Sequence, residues 1–393
     1  MSKRILFISR CPPYPLHYGD RLILWHLARV LHERGYTLDL LALTQQASDQ
    51  SEITHYQQFF NNVRLFPEVQ RTHWMYLQRL VGNHYPKQAS SAWQSDLWQV
   101  IVTQLSNQTY DVVHLFGGVH VYEFAHLLQD YPTVITPYES YSLYLKRALA
   151  QSFTPQTWFN RQLTRQFERW MFSPYQRTVV LSNDDKTELL SINPKLAIDV
   201  IPNGVNLEDF SPRATLRDDA TILFVGNFDY PPNHDAGMLL TTEIFPQIQS
   251  AIPHAKLQLV GNAPSDVMLA LVSDNIIVTG RVPSVQDYLA SATIFVCPLR
   301  VGAGIKNKVL EALAMGIPTV ATPLSMEGID AKDGQYVLVA DIEQMASVAI
   351  NLIQDKPLQQ TLSHHAPQLI AERYSWKSVV TQYENLYNAV VKT

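Results

Sequence analysis

The residues best equipped for chemistry stand in one stretch: Cys297-Pro298-Leu299-Arg300-Val301-Gly302-Ala303-Gly304-Ile305-Lys306-Asn307-Lys308, then Val309-Leu310-Glu311. An apolar run enters a Gly-x-Gly loop, and a helix is expected from about Lys306 to a stop at Gly316. Glycines let a backbone turn sharply and bring its N–H groups close to an anion. A helix N-terminus adds roughly half a positive charge. Arg300, Lys306 and Lys308 surround the same loop with full charges. A diphosphate needs this combination. The Gly-Lys-Ser/Thr ending that would place Mg²⁺ in a P-loop is not there.

Glu311 interrupts a helix otherwise built from Val, Leu, Ala and Met. A carboxylate in such surroundings is costly without partners. Accepting hydrogen bonds from the two vicinal hydroxyls of a ribose would satisfy it; pairing with Lys308 one turn earlier is the alternative. Tyr18-Gly19-Asp20-Arg21 stands between a first strand and a first helix. There Gly19 would admit a ligand to the backbone, and Asp20 reads as a helix cap or an acceptor contact. Thr136-Pro137-Tyr138-Glu139-Ser140-Tyr141-Ser142 is a polar loop after another strand, with Glu139 either a ligand contact or part of a solvated turn. Arg161, Arg165 and Arg169 recur every four residues, with Phe159, Leu163, Phe167 and Trp170 on another face. Such a basic amphipathic helix can rest on an anionic membrane; a surface helix with a packed stripe is the commoner outcome. No His/Asp/Glu spacing suggests a metal, and His364-His365 reads as a solvated pair.

Two domains of one kind must position these residues. The chain has 393 residues, a net charge of −5 and two cysteines. That balance gives no basic field for nucleic acid, and Cys11 and Cys297 are too far apart for a disulfide framework or zinc knuckle. No 18-residue apolar run and no signal-peptide pattern appears, so a cytoplasmic setting is expected. Through Val205 there are 18 Lys/Arg against 16 Asp/Glu; beyond it, 12 against 19. Six tryptophans precede that point and only Trp376 follows.

Short apolar runs at Arg4–Ser9, Leu38–Leu43, Asn62–Phe66, Asp111–Leu115, Thr133–Thr136 and Arg177–Leu181 alternate with helix-length segments. The scheme restarts at Thr221–Val225 and continues through Lys256–Val260, Asn275–Val278, Thr293–Val296 and Pro318–Ala321. Regular alternation implies βαβ units, hence two doubly wound, Rossmann-like α/β domains with parallel sheets. The expected division is 1–205, joined by a C-terminal helix at 376–393, and 206–375. Ligands of such sheets bind beyond the carboxyl ends of the strands.

At these residues the chain resembles the retaining, GT-B-fold glycosyltransferases of family 4 (group 1). The likeness covers nearly the whole chain. It is carried by Tyr14-Pro15 through Gly35, Val179-Val180-Leu181-Ser182, Val200-Ile201-Pro202-Asn203-Gly204-Val205-Asn206, and Val309 to Pro318. The resemblance implies that the N-terminal domain binds an acceptor and the C-terminal domain a nucleotide-sugar donor. It places the ribose on Glu311, and the donor on Gly19, Gly226, Asn227, Gly302, Gly304, Ile305, Lys306, Asn307 and Lys308. It also implies no metal, no separate cofactor, retention of anomeric configuration, and a carbohydrate or lipid-linked acceptor, with peripheral membrane contact in the second case.

Three departures stand out. Ala303 occupies the place of the first glutamate of the Glu-x7-Glu signature. Gly226-Asn227-Phe228-Asp229-Tyr230-Pro231-Pro232-Asn233 lacks the family's cations, so Arg300 and Lys306, with Lys308, are expected to stabilise the leaving diphosphate. Phe116-Gly117-Gly118 replaces a loop histidine, leaving His114 as structural and His120 as the polar candidate. An epimerase of the same fold, or a non-catalytic sugar-nucleotide-binding scaffold, is the alternative reading. A dehydrogenase is disfavoured, because no Gly-x-Gly-x-x-Gly follows either first strand.

Overall fold

Ile5, Leu6, Phe7 and Ile8 are all fully buried, as a strand covered on both faces requires. Runs like this one build two sheets in the computed structural model, which describes residues 3–16, 19–81, 85–214, 217–302 and 304–391. Tyr18 and Ala303 lie outside the described residues.

The first sheet holds β1 (Arg4–Ser9), β2 (Thr37–Thr44), β3 (Asn62–Pro67), β4 (Val112–Phe116), β5 (Thr133–Tyr138), β6 (Arg177–Val180) and β7 (Ile198–Val200). Its order is β3-β2-β1-β4-β5-β6-β7, and every pairing is parallel. The second holds β8 (Thr221–Val225), β9 (Lys256–Val260), β10 (Ile276–Val278), β11 (Ile294–Cys297), β12 (Thr319–Ala321) and β13 (Leu338–Val339). Its order is β10-β9-β8-β11-β12-β13, again parallel throughout. In both sheets the strand order reverses between the first strand and the fourth. Loops leaving those two strands therefore diverge and leave a crevice at their carboxyl ends. The edge strands β7 and β13 are additions to the sequence reading.

The chain divides into Met1–Ile201 with Val379–Thr393, and Pro202–Ser378. In the first unit, the C-terminal helix Trp376–Val391 brings the Tyr387 hydroxyl 2.7 Å from His114 Nδ1. The other ring nitrogen lies 2.8 Å from Thr136 Oγ1. His114 is fully buried, and burial alone holds its pKa well below the usual value. It is a neutral core residue of β4. In the second unit, Val205 bridges to Ser375, and the Trp376 indole fills the space beside Gly204. A Cβ on Gly204 would sit 2.6 Å from that ring. Trp376 thus packs in the second unit, and the helix passes to the first from Val379 onward.

Candidate functional site

In the second unit the reversal falls between β8 and β11, where Gly226 and the Pro298–Lys306 segment begin. That segment is pinned from behind by the turn after β12. Ser325 Oγ donates to the Cys297 carbonyl at 2.7 Å, and Thr322 Oγ1 donates to the Leu299 carbonyl at 2.6 Å. Gly302 and Gly304 then take φ of 124° and 71°, and a Cβ on Gly302 would meet only Lys306 Cε, at 3.9 Å. The turn needs glycine here, and the space beside Gly302 is open.

Beyond it, helix Asn307–Ala314 starts at Lys306 without a side-chain cap. Its first backbone bonds, Val309 N–H and Leu310 N–H to the Lys306 carbonyl, leave the Asn307 and Lys308 N–H groups without a partner among the described residues. The Asn307 side chain is held by Asn203 Nδ2 at 2.8 Å. Ile305 is buried beneath the loop.

Lys308 crosses the reversal point. Its ammonium donates to Asn233 Oδ1 at 2.5 Å and lies 4.6 Å from the centre of the Phe224 ring. A Cβ on Gly226 would approach that nitrogen to 3.1 Å, so a glycine ends β8 where the lysine arrives. Asn233 is fixed in turn by donating to the Asn227 carbonyl at 2.8 Å, while the Asn227 side chain stays exposed. Burial lowers the Lys308 pKa to about 8. The Glu311 carboxyl, one turn later, makes no hydrogen bond among the described residues; burial pushes its pKa up to about 7, with Lys308 opposing.

The other two cations of the loop face carboxylates. Arg300 makes a two-toothed pair with Asp235, at 2.8 and 2.7 Å. Lys306 is buried, bonds the Gly304 carbonyl and pairs with buried Glu327 at 3.3 Å. Lys308 is therefore the loop cation that an amide rather than a carboxylate holds. Asp235 and Glu327 were absent from the sequence reading and Asn233 entered it only as the end of a cation-free stretch; of the three, only Glu327, an acid in the apolar Leu324–Ile329 stretch, carried a signal.

In the first unit the corresponding loops follow β1 and β4. Asp20 lies inside the first turn of helix Gly19–Glu33 rather than at its cap, and its Oδ2 accepts from Arg10 Nε at 3.2 Å and Nη2 at 2.8 Å. A Cβ at Gly19 would meet nothing within 4 Å among the described residues. His120 Nδ1 lies 2.5 Å from Glu68 Oε1 and 2.5 Å from Arg71 Nη1, and the bond to His120 holds the Glu68 pKa below its usual range. A cavity of about 470 Å³ opens beyond β4 and β5, with Arg10, His120, Glu139 and Glu168 as its polar lining. It brings His120 and Glu139 together; Asp20 reaches it only through Arg10.

The basic helix, Pro155–Met171, turns Arg161 and Arg165 onto Glu188, each at 3.0 Å, so two of its three periodic cations are engaged within the unit. Phe153, Trp158 and Phe159 are exposed. Among the described residues no helix is long and apolar enough to cross a membrane, and no group of three His, Cys, Asp or Glu could hold a metal.

Residues 22–209 match the family described as Glycosyltransferase Family 4, and residues 219–355 match Glycosyl transferases group 1. The chain belongs to the group 1 glycosyltransferases. Among relatives, an uncharacterized 44.6 kDa protein in the cps region of Klebsiella pneumoniae is 23% identical, over 96% of this chain and 98% of its own. GDP-mannose:cellobiosyl-diphosphopolyprenol alpha-mannosyltransferase of Xanthomonas campestris is 25% identical, over 72% and 75%. The glycosyltransferase fold is also that of sucrose-phosphate synthase from Thermosynechococcus elongatus, with a TM-score of 0.72, 17% identity and 99% of each chain covered. Anabaena HepE, solved in complex with UDP and glucose, gives a TM-score of 0.65 at 12% identity, over 98% of this chain and 100% of that one. The two parallel sheets are those of a GT-B glycosyltransferase.

Proposed function

We propose that the second unit binds a nucleoside diphosphate sugar and the first an acceptor hydroxyl, a hexosyl group passing between them with retention. The observation that carries this reading is the pairing of an uncapped helix N-terminus with a carboxylate that has no hydrogen bond one turn further on. The first suits a diphosphate and the second a ribose diol. As the glycosidic C–O bond breaks, negative charge grows on the leaving phosphate. The N–H groups of Asn307 and Lys308 and the Lys308 ammonium are set to stabilise that charge. Arg300 and Lys306 shape the loop through Asp235 and Glu327, and reach phosphate only by exchanging those partners. In this reading the leaving phosphate takes the acceptor's proton, and neither a protein nucleophile nor a metal is needed.

The acceptor is a carbohydrate, free or lipid-linked, and the chain works in the cytoplasm. For a lipid-linked acceptor, exposed Phe153, Trp158 and Phe159 supply an apolar contact with the inner face of the membrane. One relative is named for GDP-mannose and one neighbour was solved with UDP, so the donor screen must span bases. Thermal stabilisation by a panel of UDP-, GDP-, ADP- and dTDP-sugars tests the reading. At least one should stabilise the wild type and fail with Glu311→Ala. Equal stabilisation of both proteins would overturn the donor site.

A further inference from the structure

Glu168 is 5% exposed and sits in helix Pro155–Met171. Its Oε1 accepts from Ser140 Oγ and from the Ser142 N–H, both at 3.2 Å. Its Oε2 is buried with no hydrogen-bond partner among the described residues. A buried carboxyl oxygen left unmatched destabilises the fold. The Ser140–Ser142 contact uses only one of the two oxygens, so the fold alone gives the other nothing to bind. This side chain also forms part of the wall of the 470 Å³ cavity, which has the size of a small-ligand site.

The rest of the wall narrows the ligand. Tyr76, Val119, Phe167, Met171 and Phe172 are apolar or aromatic, and Tyr141 is 52% exposed with its ring stacked on Tyr144. Glu139 adds a second carboxylate, and the charge of Arg10 is matched by Asp20. An anionic ligand would meet two acids and no uncommitted cation. A neutral ring with hydroxyls on its rim and C–H faces above and below meets complementary groups on every side.

We infer that this cavity selects a neutral glycoside, with Glu168 Oε2 accepting from one of its hydroxyls and the aromatic wall covering the sugar face. The inference rests on the reading of the first unit as the acceptor side, and it makes Glu168 a specificity-determining residue.

The test is calorimetric binding of octyl glucoside, octyl galactoside, octyl mannoside and octyl N-acetylglucosaminide below their micelle concentrations, with octyl phosphate and octanol as controls. Wild type, Glu168→Gln and Thr164→Trp, which fills the cavity, are compared. Glutamine keeps an oxygen for Ser140 and Ser142 but turns an NH₂ toward the vacant side. At least one glycoside should bind wild type better than both controls. At pH 8.5, above the Glu168 pKa that burial raises to about 7, its affinity should fall about tenfold to a hundredfold in Glu168→Gln, the loss of a hydrogen bond to a charged acceptor, and vanish in Thr164→Trp. Glycoside affinity unchanged in both variants, preference for octyl phosphate, or no glycoside binding at millimolar concentration would each overturn the inference. UDP and GDP are titrated in parallel. Nucleotide binding without glycoside binding refutes the inference alone, whereas glycoside binding without nucleotide binding refutes the donor site alone.

Discussion

Replacing Lys308 with methionine should make the protein more stable and less able to bind its donor. The ammonium sits among Phe224, Gly226 and Asn233, and its pKa falls from the usual 10.5 to about 8. At ~1.4 kcal/mol per tenfold change in protonation, holding that charge in the folded state at neutral pH costs ~3 kcal/mol. Methionine removes the charge and keeps the stem. It also removes the bond to Asn233 Oδ1, about 1 kcal/mol, and the contact with Phe224, about 0.5–1 kcal/mol. The net expectation is a gain of about 1 kcal/mol at pH 7, seen as a later midpoint in urea. The sign has a pH signature. The folded state binds fewer protons than the unfolded one between pH 8 and 10.5, so wild-type stability rises through that window, and the variant should lose the rise. UDP or GDP, titrated calorimetrically, should bind the variant roughly 10- to 100-fold more weakly, as expected for losing a charged hydrogen bond. A variant less stable than wild type, or one that binds nucleotide equally well, would refute the placement of this cation.

Nucleotide affinity in wild type should peak between about pH 7 and pH 8, where Glu311 is ionised and Lys308 still protonated; Glu311→Gln should flatten the acid limb of a calorimetric pH series. Because the Glu311 pKa is raised, its contribution to stability falls as pH climbs from 4.5 toward 7, and the same substitution should remove that slope from urea midpoints. Lys306→Met strands buried Glu327 and should cost ~3–5 kcal/mol, most of it recovered in the double variant with Glu327→Gln, both read by urea unfolding. Gly261→Ala should cost at least ~3 kcal/mol and abolish nucleotide binding, because a Cβ there would stand 1.8 Å from the Gly226 carbonyl at a φ of 145°; thermal melts and titration check both.

The central strands were legible because each is a run of apolar residues buried on both faces, a pattern that survives without its neighbours. The edges were not. β13 is two residues long and β7 three, too short for any period to show. Glu311 was legible as a lone acid in an apolar helix, and it is the first residue the proposed donor site puts to the test. The division of labour among the cations was hidden. Lys306 precedes the helix and Lys308 lies in its first turn, so two positions apart in sequence they face different partners, Glu327 and Asn233. Those partners come from the turn after β12 and the helix after β8. The same holds for His120, whose companion Glu68 follows β3. Nothing in the sequence singled out Glu168, because the contact that fixes it, to Ser140 and Ser142, spans two helices.

The bond between His114 and Tyr387 joins residues 273 positions apart, and it has a consequence for the order in which the protein can be finished. A ribosome releases the whole first sheet before the second begins, yet the segment needed to close the first core emerges only after the second unit. Until then His114 lies beneath an uncovered face, while the second unit is free to fold from the contiguous stretch Pro202–Ser378. The unit made first is therefore completed last. A gene fragment ending near Ile201 would yield an open core, whereas one encoding the inserted unit carries all of its own sheet.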